Sequence, residues 1–339
     1  MTKRKDGLYQ ESISFMKHGR PVRRYFYGHT KAEVLRKIAA FRDQLDKGRT
    51  FDEIADEWYE LTAPTLAVNT LRGYNPAVAR ASEYFRGRYI SEIRPSEINA
   101  FITEFVRQHS AADKTARTQL MIVNLICKYA VAQGDIDANP ARDISVPRGL
   151  RKEARQMPSD EDIARVKASV DCTFGLFAYL VMYTGLRRGE ALALTWDDID
   201  LEARTIKVDK SVYQDKNKPH LKRPKTSAGT RPVPILDRLY ERLKPSTGLL
   251  FPDPINGGLM SETHFASLWN TYREESGVTC TPHQLRHTFA TMLYEAGVED
   301  KDAQDILGHA QISTTRDIYT HIRDAQRQKV RAQILGIDI

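Results

Sequence analysis

Cysteine is scarce in this 339-residue chain, with only Cys127, Cys172 and Cys280, far apart in sequence. Three thiols at such spacings supply neither a disulfide framework nor a zinc ligand set. Long apolar runs are also missing. The longest nearly uninterrupted one, Phe174 to Tyr183, falls well short of the roughly 20 residues that a membrane span needs. Met1 is followed by Thr-Lys-Arg-Lys-Asp, not by a basic stub and an apolar stretch, so the expectation is no secretory leader and a cytoplasmic location. There is no glycine-rich phosphate loop ending in Lys-Ser or Lys-Thr, and no cluster of acidic metal ligands.

What is present reads as a soluble globular chain. Hydrophobic residues make up 41% and charged ones 28%, which excludes wholesale disorder, and the length leaves room for two or three domains. The formal net charge is +7, unevenly spread. Residues 1–49 hold 13 Lys and Arg against 5 Asp and Glu, a balance of +8 that leaves the remainder at about −1. A basic module on a nearly neutral body points to a polyanion at one end, although a solubilising charged face would give the same count.

Periodicity organises the chain. Tyr9, Ile13 and Phe15 alternate as in a half-buried strand, Gly19 falls at a turn, and Val22 to Tyr27 forms a second run around Arg23 and Arg24. Thr30 and Glu33 form a capping box that opens a helix with Leu35, Ile38, Ala39 and Leu45 on its apolar stripe. Thr50 and Glu53 open another over Phe51 to Leu61, followed by helical patterns near 71–86, 95–108 and 115–133, with Gly134 at a C-terminal cap. Ile144 to Lys152 reads as a linker. Ser159-Asp160-Glu161-Asp162 starts a further helix, an apolar helix covers about 173–184, and Ile199 to Tyr213 and Arg231 to Ile235 flank a Lys-, Pro- and Gly-rich turn as one small sheet. The pattern after Gly258 is helical. The class is therefore α+β: mainly α, with small β-sheets.

Three short motifs carry chemistry. In Thr184-Gly185-Leu186-Arg187-Arg188-Gly189-Glu190, Arg187 sits at a helix junction where its planar fork suits a phosphate, with Glu190 placed to orient the local backbone. Alone, this reads better as a helix corner with a surface ion pair. In Thr281-Pro282-His283-Gln284-Leu285-Arg286-His287, Thr281 is a natural N-cap, and His283 and Arg286 share a face of the first turn, where backbone N–H groups favour an anion. The His283/His287 spacing also fits a metal pair, but Gln284 stands where a zinc protease needs its glutamate. In the third motif, Leu307-Gly308 closes a helix and leaves His309 on an exposed connection, with Tyr319 ten residues on.

Arg187, His283-x-x-Arg286, His309 and Tyr319, in that order and those contexts, resemble the tyrosine recombinase (phage integrase) family, and most closely the integrases of conjugative transposons and temperate phages. The resemblance covers the whole chain. It implies a basic three-stranded arm-type DNA-binding domain (1–49), a helical core-DNA-binding domain (50–147), a linker (148–154) and a catalytic domain with a small antiparallel sheet (155–339). It implies Tyr319 as the nucleophile that forms a 3′-phosphotyrosine, Arg187 and Arg286 as the clamp on the non-bridging oxygens, and His283 and His309 as further donors, with His283 also the group to accept the tyrosine proton. Lys225, in the Lys222-to-Pro234 turn, matches the family's general acid, with Lys222 as runner-up. Glu190 takes a supporting role and Arg188 a surface one. No metal or nucleotide cofactor is implied.

The implied partners are double-stranded DNA at core and arm attachment sites and three further copies of the chain in a tetramer on DNA, from a free monomer. An excisionase or host DNA-bending protein is a candidate accessory. Arg72, Arg80, Lys114, Arg117 and Lys128 are candidate phosphate contacts, and a short amphipathic helix after Tyr319, with Val330, Ile334 and Leu335, would dock in cis or on a neighbouring subunit. A type IB topoisomerase or a catalytically inactive DNA-binding regulator on the same scaffold are the alternatives.

Overall fold

Strand pairing sets two faces on the N-terminal module. In the computed structural model, which describes residues 1–17, 20–151, 157–223 and 229–335, β2 (Tyr9–Lys17) pairs antiparallel with β3 (Arg20–Gly28), and β1 (Thr2–Lys3) adds to the free edge of β2. Gly19 lies outside the described residues. Glu11 stands opposite Phe26 and Ile13 opposite Arg24, so Tyr9, Ile13, Phe15 and Phe26 share a face. That face packs on Val34, Ile38 and Phe41 of α1 (Lys31–Lys47). The hydroxyl of Thr30 accepts the Glu33 N–H at 3.1 Å and Glu33 reaches back to the His29 N–H at 2.8 Å, which fixes the start of α1. The other face carries Gln10, Ser12, Ser14, Arg23, Tyr25 and Tyr27, with both tyrosines exposed.

Four helices follow: α2 (Phe51–Thr62), α3 (Val68–Tyr84), α4 (Pro95–His109) and α5 (Asp113–Gln133). Phe51, Ile54, Ala55 and Trp58 recur at the spacing of one helical face, as do Ile98, Phe101 and Ile102, and these stripes meet in one core. Each large side chain removed from water there contributes about 1.5–3 kcal/mol. Arg80, read from sequence as a phosphate contact, is half-buried instead. Its Nε donates to Gln119 Oε1 at 2.8 Å and its guanidinium lies 4.8 Å from the Phe105 ring centre. Lys114 and Arg117 remain on the surface and, with Arg142 and Arg148, line a groove of about 830 Å³ beside α5.

The chain divides into two compact units, Met1–Ala154 and Arg155–Ile339. The second is built around α7 (Gly175–Thr184), whose every residue but Leu176 is buried. It also contains α6 (Asp160–Ala168), α8 (Arg188–Ala191), α9 (Asp237–Tyr240), α10 (Glu262–Ser276), α11 (Pro282–Glu295), α12 (Asp300–Leu307) and α13 (Ile312–Leu335). The single small sheet expected here is two sheets. In the first, β5 (Thr205–Val208) sits between β4 (Ile199–Asp200) and β8 (Arg231–Pro234); the second is a hairpin of β6 (Ser211–Asp215) and β7 (Lys218–Lys222). The hairpin closes through Lys216 and Asn217, both at positive φ (46° and 65°), a turn that matches strand twist but lacks the usual glycine signal. Among the described residues there is no separate helix after Tyr319. One 24-residue helix, α13, runs through the tyrosine. Among the described residues no helix is long and apolar enough to cross a membrane.

Candidate active site

Three local devices bring the motifs together. Gly185 caps α7, and the fully buried Leu186 anchors the corner that follows. Gly189 then lets α8 press onto β6, because a Cβ there would sit 2.4 Å from Val212 O and 2.6 Å from Ser211 Oγ. At α11, the Thr281 hydroxyl accepts the Gln284 N–H at 3.3 Å and the Gln284 side-chain oxygen accepts the Thr281 N–H at 2.8 Å. Pro282 takes the first helical position. His283 is therefore exposed at the helix start while Arg286, one turn on, is buried.

Three arginines converge on the C-terminus of α12. Arg231 Nε donates to Ile306 O at 2.7 Å, Arg286 Nη2 to Leu307 O at 2.7 Å and Arg187 Nη2 to Gly308 O at 2.7 Å. These consecutive carbonyls would otherwise lack helical partners, and the negative helix end favours cations. Arg286 Nη1 also donates to Gly185 O at 2.6 Å, tying the α7 cap to the same point. Beneath the three guanidiniums lies Glu190. Its Oε1 accepts Arg187 Nη1 at 2.7 Å, and its Oε2 accepts the Arg187 N–H and Arg231 Nη2, each at 2.9 Å. Arg286 Nη1 is 3.9 Å from Oε2.

Burial alone would raise the Glu190 carboxyl, but Arg231 and then Arg187 outweigh it, and its pKa falls to about 2. Three cations over one carboxylate leave a charge near +2, the charge that the transition state of phosphodiester transfer complements. Burial, with Arg187 and Arg231 nearby, lowers Arg286 to about 9, so it stays cationic at neutral pH.

His309 is buried at 6% exposure, not exposed as the sequence suggested, because Gly308 turns the chain back into the unit and the backbone N–H and C=O of His309 both bond to Gln304. Burial and the neighbouring Arg286 and Arg187 depress its pKa to about 3, so the ring is neutral at working pH. Its Nδ1 lies 2.9 Å from the hydroxyl of Thr315, a fully buried residue of α13. A neutral ring donates from Nε2 only when Nδ1 accepts that hydroxyl hydrogen.

Arg187, Arg286 and His309 are thus brought together, with His283 on the same first turn as Arg286 and its ring 4.6 Å from that of His287. Tyr319 does not join them. It lies one turn beyond Thr315, 4% exposed, packed with Phe289, Ala303, Leu307 and Ile322 and edge-on to Tyr294 at 5.0 Å. Its hydroxyl is buried without a hydrogen-bond partner, and burial with the Asp300 charge raises its pKa to about 12. Lys225 lies outside the described residues. Lys222 ends β7, exposed, 5.7 Å from the Tyr213 ring centre. Arg188 pairs with Glu262 at 2.8 Å and covers Phe265.

Arg231 is the site residue that sequence reasoning missed. A signal existed, since along β8 Arg231 and Val233 point inward while Pro232 and Pro234 point out, and a charge at an inward position demands a partner. Gly308 has φ +65°, and a Cβ on it would lie 2.6 Å from Arg231 Nη1. Gly308→Ala is therefore expected to cost about 2 kcal/mol, read as a fall in denaturation midpoint, because the locked guanidinium cannot yield.

Two family models match the chain: the phage integrase family over residues 160–326 and the phage integrase central domain over 51–146. Among curated proteins, the tyrosine recombinase XerC-like protein of Caldanaerobacter subterraneus subsp. tengcongensis is 27% identical, the match covering 91% of this chain and 90% of the relative. The tyrosine recombinase XerD of Mycobacterium leprae is also 27% identical, over 77% of this chain and 89% of the relative. Among solved structures, the Tn1549 transposon integrase in complex with transposon right end DNA has the same fold, with a TM-score of 0.66 at 21% identity, covering 84% of this chain and 100% of that one. A lambda integrase from a tetramer bound to a Holliday junction aligns with a TM-score of 0.59 at 18% identity, over 91% of this chain and 95% of that one.

Proposed function

Because the chain belongs to the phage integrase family of tyrosine recombinases, we propose that it cuts and rejoins attachment-site DNA to integrate and excise a mobile element, with Tyr319 as nucleophile. The phenolate oxygen of Tyr319 bonds to the scissile phosphorus, the bond to the 5′-oxygen breaks, and a 3′-phosphotyrosine and a 5′-hydroxyl result. Arg187 and Arg286 hold the non-bridging oxygens, neutral His309 adds a donor, and exposed His283 accepts the phenol proton. Lys225 supplies the proton to the leaving oxygen. Rejoining reverses these steps with no nucleotide, because the phosphodiester energy is retained in the phosphotyrosine. The convergence of three guanidiniums and His309 on the end of α12 carries this reading.

The domain roles follow from the same reading. Residues 1–49 bind arm sites through the sheet face with Gln10, Ser12, Ser14, Arg23, Tyr25 and Tyr27, which carries hydrogen-bonding groups and a cation without a carboxylate. Residues 50–147 bind the core site, with the Lys114, Arg117, Arg142 and Arg148 groove following phosphates. Residues 148–154 link them to the catalytic domain, 155–339. Four copies assemble on the paired sites from free monomers, in the cytoplasm, with an excisionase or host DNA-bending protein setting direction. Neither a topoisomerase nor an inactive regulator is favoured, since the matched relatives are recombinases.

A nicked suicide substrate bearing the core site tests this. In EDTA it is expected to trap an SDS-resistant adduct at Tyr319. Tight, saturable binding with no adduct would leave only a regulator, and relaxation of supercoils without strand exchange would leave a topoisomerase.

A further inference from the structure

Arg231 makes no use of its charge toward solvent. Its guanidinium is 5% exposed, and Nε, Nη1 and Nη2 all donate internally, to Ile306 O at 2.7 Å and to the two Glu190 oxygens at 3.3 and 2.9 Å. The Arg187 side chain, by contrast, is 44% exposed and has donors to spare after its two side-chain bonds. The two arginines share the same carboxylate, one from within and one from the surface.

We propose that Arg231 is a positioning residue for the phosphate clamp: it holds Glu190 ionised and in place so that Glu190 aims the Arg187 fork, and it fixes the end of α12 from which His309 projects. This rests on the recombinase reading of the site. Arg187 has a backbone N–H and an Nη on Glu190, so any rotation or protonation of that carboxylate moves the arginine. Arg231 grips Glu190 with two donors while its third holds α12, so β8, α8 and α12 keep one relative geometry. The charged and titratable groups whose fields meet here are Arg187, Arg231, Arg286, His287 and His309 around Glu190.

Single-turnover cleavage of the suicide substrate from pH 5 to 9, with DNA affinity and thermal melting in parallel, tests the assignment. Arg231→Gln is expected to slow cleavage roughly 10- to 100-fold, the loss typical when support for a reacting group is removed, while DNA affinity stays within about threefold. It is also expected to lose rate on the acid side at a pH where wild type does not, because Glu190 then titrates in the working range. Arg231→Lys, which restores charge but not three-way geometry, is expected to remove the acid-side loss and recover only part of the rate. If Arg231→Gln does not fold, the Glu190→Gln/Arg231→Gln double variant, which removes the two opposite charges together, takes its place: native melting with slow, pH-flat cleavage supports the proposal. Wild-type rates and pH profile in any folded variant lacking Arg231, or a slow variant whose only change is weaker DNA binding, overturn it. Absence of an adduct from the wild-type protein would instead sink the recombinase reading itself.

Discussion

Tyr319→Phe is expected to form no covalent adduct with DNA while melting no lower than wild type. The two effects have opposite signs for one reason. The phenolic oxygen is the bond-forming atom in the proposed reaction, so its removal leaves nothing to attack phosphorus. In the folded chain that same oxygen is buried with no hydrogen-bond partner, an arrangement that costs about 1–3 kcal/mol. Phenylalanine keeps the ring among Phe289, Leu307 and Ile322 and discards the cost, so a gain of about 1 kcal/mol, or about 2–4 °C in a unit of this size, is expected. Adduct gels and thermal melts read the two halves separately. An adduct in the variant would remove Tyr319 from the mechanism, and a lower melt would mean that the hydroxyl has a stabilising partner.

The same observation bears on control. With a pKa of about 12 the phenol is protonated at any physiological pH, and no arginine or histidine is hydrogen-bonded to it. Withdrawing an aromatic ring from an apolar cluster costs about 2–3 kcal/mol, of which rehydrating the unpartnered hydroxyl returns about 1, so on the order of 5% of free molecules would present the tyrosine.

How much of this was legible in the sequence depended on the range of the interaction. Local codes read well: the Thr30/Glu33 and Thr50/Glu53 capping boxes, the helical stripes of α2, α4 and α5, and the glycine that ends α7 each act within a turn or two. The β6–β7 hairpin was not legible because its turn uses Lys216 and Asn217 in a conformation that glycine usually signals. Burial of His309 and Tyr319 was not legible either. Both follow from α13 folding back onto α11 and α12, a tertiary event that leaves no periodic trace around either residue. The motif residues were visible as types in order, but the reason Arg187 points where it does was not. Its partners are Glu190, which Arg231 also holds from 44 residues away, and the Gly308 carbonyl at a helix end.

Glu190→Ala is expected to cause the largest loss of stability of any single change at the site, about 3–5 kcal/mol, because it leaves two buried guanidiniums and a surface one repelling each other without a counter-charge. The pH dependence identifies the cause. In wild type the carboxyl has a pKa of about 2 when folded against an ordinary 4.5. The unfolded chain therefore binds the proton first, and the contribution, on the order of 3 kcal/mol, is complete above about pH 5 and lost as pH falls from there toward 2. His309 acts in the same direction in a higher window. Its folded pKa of about 3 lies below the ordinary 6.5, so acid favours the unfolded state as pH falls through 6.5. The difference in unfolding free energy between wild type and Glu190→Ala, measured by denaturant at pH 7, 5 and 3, is expected to be flat from 7 to 5 and to shrink by about half or more at 3. A difference constant down to pH 3 would mean that the glutamate contributes packing and not charge. The clamp would then be held together by the α12 carbonyls alone.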